Sequence, residues 1–144
     1  MSAKILLRIA AFLLFFHVVG HSTGMITRKN KTNEAEISLM NRMAEVKVSI
    51  MGKETDRSYD DFYLGFGISL SFALFSFGIL LWLLGSLGEK DPNFTKKLLS
   101  PILFVLVSFT TIDFLYFFPV PAFTCLLASV AIVGAIVRLG KEKS

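Results

Sequence analysis

Four runs of apolar residues constrain this chain more than any other feature. They extend from about Ile5 to Ser22, Phe62 to Leu87, Leu98 to Phe118 and Val120 to Val137. An α-helix rises about 1.5 Å per residue, so roughly 20 residues cross a hydrocarbon layer ~30 Å thick. All four runs reach that length, and the second is long enough to tilt. They are about twice as long as a barrel strand and lack its polar/apolar alternation. The expectation is an all-α chain, a four-helix transmembrane bundle forming one integral membrane domain over residues 1–144.

The third run contains an acid, Asp113, and its insertion has to be checked. It holds 14 Leu, Ile, Val or Phe residues. At roughly −0.3 to −0.6 kcal/mol each they favour insertion by about 4–8 kcal/mol, against about 2.5–3.5 kcal/mol opposing it from a central aspartate. Insertion wins. The first run also resembles a signal peptide, with Lys4 and Arg8 before the apolar stretch and small residues after His21. Its length, the internal His17, the lack of a clean cleavage site and the three spans that follow favour a retained helix.

Only 18% of the residues are charged, Phe occurs 15 times, and the mean hydropathy is +0.64. The net charge of +4 is spread through the gaps between apolar runs. A nucleic-acid surface would cluster such charge among aromatics, so lipid headgroups are the expected partner and nucleic acid is not. Cys125 is the only cysteine, which excludes an intramolecular disulfide, and in an apolar run it reads as a small hydrophobe.

The segment from Met25 to Asp61 is the one sizeable polar region, with seven basic and seven acidic residues. Within it Ile37, Met40, Ala44, Val48 and Met51 recur at helical spacing. This predicts a short amphipathic surface helix over about Glu34 to Ser49; the alternative is a mobile loop. The gap from Gly88 to Lys97 reads as a short charged loop. Pro119-Val120-Pro121 predicts a tight turn that makes the last two spans adjacent and antiparallel.

With four crossings, both termini share a side with the second loop. That side carries Lys4, Arg8, Lys90, Lys96, Lys97, Arg138, Lys141 and Lys143. The opposite side carries seven Lys and Arg, all in the much longer first loop. The density of positive charge places both termini in the cytoplasm. Trp82 then falls near the inner interface, and Tyr59, Tyr63 and Tyr116 near the outer one.

Ionisable groups inside a membrane are costly and each is a functional hypothesis. His17 and His21, four residues apart, project from one helical face toward the outer end of the first span. Asp113 lies toward the outer end of the third, and Asp60 and Asp61 open the second. Together with Tyr59, Tyr63, Thr110, Thr111 and Tyr116 they form one outer-leaflet layer. Three uses compete: interhelical packing, each hydrogen bond contributing about 0.6–2 kcal/mol; a pocket for a small amphiphile, or a proton relay; and a metal site. His17-Val18-Val19-Gly20-His21 lacks the glutamate that a zinc protease helix carries, so no metal or other cofactor is assigned. Gly67 with Ser71, and Ala131 with Ala135, form small-residue patches suited to close helix approach.

Three stretches carry a resemblance. They are Leu7-Arg8-Ile9-Ala10-Ala11 followed by His17-Val18-Val19-Gly20-His21; Met51-Gly52 leading into Arg57-Ser58-Tyr59-Asp60-Asp61-Phe62-Tyr63-Leu64-Gly65-Phe66-Gly67; and Tyr116-Phe117-Phe118-Pro119-Val120-Pro121. Across nearly its whole length the chain resembles a family of small, uncharacterised bacterial four-helix membrane proteins. The resemblance implies the fold, the bacterial inner membrane and the motif residues, and brings no activity. Asp60 stands where that family has an aromatic residue, which points to Asp61 over Asp60.

The resulting expectation is a non-enzymatic, multi-pass membrane protein. It would bind a small amphiphilic ligand or a protein partner through His17, His21, Asp61, Tyr63, Asp113 and Tyr116. The alternatives are a membrane-embedded enzyme or redox component using the two histidines, or a small transporter acting as a homo-oligomer.

Overall fold

The computed structural model describes residues 1–141. In chain order the elements are α1 (Ala3–Thr27), α2 (Glu34–Glu45), β1 (Lys47–Ile50), β2 (Lys53–Ser58), α3 (Tyr59–Leu87), α4 (Pro92–Tyr116) and α5 (Pro119–Lys141). The fold class is all-α, with one small antiparallel hairpin. Four helices, α1, α3, α4 and α5, are long and apolar enough to cross a membrane. They are the four apolar runs, extended at their polar ends.

The chain divides into two compact units, Met1–Val18 with Leu74 onwards, and Val19–Ala73. The first is a four-helix bundle built from α4, α5, the opening of α1 and the second half of α3. Its core is aliphatic: Leu7, Leu14, Leu74, Leu81, Leu99, Leu106, Ile132 and Leu139 are fully buried. The α1/α3 contact depends on Gly78, where a Cβ would lie 2.5 Å from the Phe15 ring, itself 5.5 Å from Phe75. At the α1/α5 contact, Leu6 packs against Gly134. Helix α5 is the most buried of the four, and its inward face is made of small residues: Ala122, Ala128, Ala131 and Ala135. Without a hydrophobic drive between helices in lipid, such close backbone approach is what favours association.

Helix α4 begins six residues before the apolar run, because Asp91 caps it. The Asp91 carboxylate accepts from the Phe94 amide at 3.0 Å, and Pro92 occupies the first turn, where no donor is needed. The turn between α4 and α5 differs from the sequence expectation. It consists of Phe117 and Phe118, while Pro119, Val120 and Pro121 already belong to α5. Prolines fit there for the same reason as Pro92.

The second unit contains the amphipathic helix expected in the first loop, starting at Glu34, but shortens it. The amphipathic helix ends at Glu45, and Lys47–Ile50 pairs antiparallel with Lys53–Ser58. Met51 and Gly52 take positive φ, 52° and 77°, the turn that best matches strand twist in a two-residue hairpin. Val48 is the buried residue of β1, while Met51 sits fully exposed at the tip. The Met51-Gly52 turn overrode a helical spacing that Val48 and Met51 satisfied by coincidence. Helix α2 has no buried residue, and its apolar Ile37 and Leu39 are open.

Candidate functional site

The first site lies in the four-helix bundle, where α4 ends and α5 begins. His17 comes from α1, Asp113 from the last turn of α4, and Thr124 and Cys125 from the second turn of α5. His17, Thr124 and Cys125 are buried. The His17 Nδ1 lies 2.9 Å from the Thr124 Oγ1 and 3.6 Å from the Cys125 Sγ. The Asp113 carboxylate lies close enough to the same thiol to act on it electrostatically. Thr124 also donates to the Pro121 carbonyl at 2.7 Å. A hydroxyl has one proton, so the contact with His17 is made by the imidazole donating from Nδ1 to Oγ1. A thiol, an imidazole and a carboxyl thus share one desolvated space, in which a proton can be held or passed between groups.

Aromatic side chains flank this cluster. Phe114 and Phe123, the neighbours of Asp113 and Thr124, meet edge-to-face at 5.5 Å. Together with Tyr116, Phe117 and Phe118 they are exposed around the α4–α5 turn. Thr110 and Thr111, expected in the polar layer, donate to carbonyls four residues back in their own helix, Leu106 and Val107.

The second site is in the smaller unit. The His21 Nε2 lies 3.0 Å from the Gly67 carbonyl, which only accepts, so this nitrogen carries a proton. The Ser71 hydroxyl donates to the same carbonyl at 3.1 Å, leaving Ser22 as the donor in the 3.2 Å Ser22–Ser71 contact. The Met25 side chain fills the space a Cβ on Gly67 would need. The expected Gly67/Ser71 patch is therefore the seam between α1 and α3 in this unit.

Above that seam, Asp60 is buried between two cations. Arg28 Nη2 donates to Oδ1 at 2.9 Å, and Lys29 Nζ lies 2.6 Å from Oδ2. Arg28 also donates to the Met25 carbonyl at 3.3 Å. Asp61 plays a different part. Its Oδ2 accepts from both the backbone amide and the hydroxyl of Ser58, each at 2.9 Å. The Asp61 amide returns a bond to the Ser58 Oγ at 3.1 Å. This reciprocal arrangement is a capping box at the start of α3.

Of the six residues expected to form a site, His17 and Asp113 meet around Cys125 in the bundle. His21, Asp61 and Tyr63 belong to the smaller unit, where His21 joins the α1/α3 seam and Asp61 caps α3. Tyr63 and Tyr116 are exposed. The residues that sequence reasoning passed over are Thr124 and Cys125, Asp60 and Arg28, and Arg8. Signals for some of them existed: Ser58-Tyr59-Asp60-Asp61 is a capping-box pattern before an apolar run, and Arg28-Lys29 follows the first span just as Asp60-Asp61 precedes the second.

Among the described residues, no group of three or more His, Cys, Asp or Glu side chains is arranged to hold a metal ion. Comparison of the chain with family models, curated proteins and solved structures finds no match.

Proposed function

We propose that this chain is a multi-pass protein of the bacterial inner membrane, with both termini cytoplasmic, and that it binds a small amphiphile at the end of the bundle facing away from the cytoplasm. The observation that carries this reading is the pairing of the buried His17, Thr124 and Cys125, with the half-buried Asp113, and the exposed aromatics of the α4–α5 turn. A ligand with a polar head and an apolar body matches both features: the head exchanges hydrogen bonds with the imidazole and carboxyl, and the body lies on Phe114, Phe118 and Phe123. Orientation is supported by the other end of the bundle, where Lys4, Arg8, Lys90, Lys96, Lys97, Arg138 and Lys141 face only Glu89 and Asp91 among described residues.

The test is an extraction and mass analysis of small amphiphiles from detergent-purified protein, comparing wild type with His17→Gln and Asp113→Asn. A defined compound near one equivalent in wild type, reduced at least about tenfold in either variant at unchanged helical content, is the expected result. If no compound is enriched over a mock purification, or the variants retain it fully, the reading fails.

A further inference from the structure

Arg8 is a charged residue within α1 that has no carboxylate partner among the described residues. Its guanidinium sits over the Trp82 ring, 4.7 Å from the centroid. That contact balances charge against the ring face but supplies no hydrogen-bond acceptor. The Nε is buried without any acceptor. Guanidinium groups carry five N–H donors, so the ring contact alone leaves this one short of acceptors.

The position of the pair says what can supply the acceptor. Arg8 lies five residues after Ala3, the start of α1, and Trp82 five residues before Leu87, the end of α3. At about 1.5 Å per residue both lie ~8 Å inside their helix ends, where hydrocarbon gives way to headgroups. Nearby, Lys4 is already paired with Glu89 at 2.9 Å and does not compete for the same ligand. The excess of basic residues at this end attracts anionic lipid over zwitterionic lipid.

From this we infer that Arg8 and Trp82 form a phosphate-binding site for the headgroup of an anionic phospholipid. The guanidinium takes two phosphate oxygens through its planar fork, and Trp82 lies against the glycerol backbone. The shared chemistry is a phosphate oxyanion, which could also come from free phosphate. This inference is independent of the amphiphile proposed at the other end of the bundle.

Trp82 is the only tryptophan in the chain, so its emission reports on this site alone. The experiment titrates full-length protein in a sugar-headed, phosphate-free detergent with phosphatidylglycerol, phosphatidylcholine or inorganic phosphate. Lipid adducts are counted independently by native mass spectrometry. Wild type should show a saturable Trp82 response and one retained adduct with phosphatidylglycerol. Phosphatidylcholine should need at least about tenfold more lipid. Arg8→Lys keeps the charge but loses the fork, and should weaken phosphatidylglycerol binding about tenfold, as should Arg8→Ala. The inference is overturned if wild type and both variants retain phosphatidylglycerol alike, or if the two lipids bind alike. A saturating response to inorganic phosphate without lipid would overturn the lipid as occupant and leave a soluble-phosphate site.

Discussion

His17 and Thr124, 107 residues apart in the chain, are joined by a 2.9 Å hydrogen bond whose direction is fixed by a third residue. Because Thr124 has given its proton to Pro121, the His17 Nδ1 must carry one. Nitrogen-15 NMR of labelled protein in detergent is expected to find His17 protonated at Nδ1. Thr124→Ser should preserve that state. Thr124→Val removes the acceptor and should destabilise the bundle by about 1–2 kcal/mol. A His17 protonated only at Nε2 would contradict this account.

Gly78 makes a second, purely steric prediction. A methyl group there meets the half-buried Phe15 ring, which rests on Phe75 and has to shift to admit it. Gly78→Ala should destabilise the protein by about 1–3 kcal/mol, and the double variant Gly78→Ala with Phe15→Leu should recover part of the loss. Thermal unfolding in detergent measures both. An unchanged melting temperature in the single variant would mean that α1 and α3 do not approach this closely.

The Asp60 clamp combines two ion pairs of different exposure. Arg28 is largely buried, whereas the Lys29 side chain is 53% exposed. Asp60→Asn leaves both cations without a counter-charge and should cost about 2–3 kcal/mol. Lys29→Ala should cost less than about 1 kcal/mol, and that small effect should vanish near 1 M salt. A loss for Lys29→Ala as large as that for Asp60→Asn would mean that the Arg28 pair contributes nothing.

Asp61 and Ser58 act on each other, so their variants should not add. Ser58→Ala should cost about 1 kcal/mol, Asp61→Ala should destabilise in the same direction, and the double variant should lose little more than Ser58→Ala alone. Neither should alter the amphiphile content of purified protein. A loss of bound amphiphile in Asp61→Ala would give this residue a ligand role in addition to its capping role.

Hydropathy was sufficient to read the four long helices, since a run of that length and composition has few other ways to satisfy its backbone in lipid. What it could not reveal was the rotation of each helix. His17 and His21 share a face by spacing, yet four residues displace them by about 6 Å along the axis and roughly 40° around it. That displacement is enough for one to meet Thr124 on α5 and the other Gly67 on α3. Cys125 was unreadable for a related reason. Only the turn at Phe117 and Phe118 brings it back beside Asp113, and nothing in an apolar run marks one small residue as the partner of an acid. In the first loop, helical and strand periodicities overlapped at Val48, and the Met51-Gly52 turn decided between them.

The two-residue turn between α4 and α5 bears on how such a chain would enter a membrane. No polar segment separates these helices, so a bilayer would receive them as one helical hairpin. Asp113 and Cys125 lie 12 positions apart across that turn, so the acid meets its partner inside the hairpin. Entering as a pair, the third span would meet lipid with its aspartate already beside the fourth.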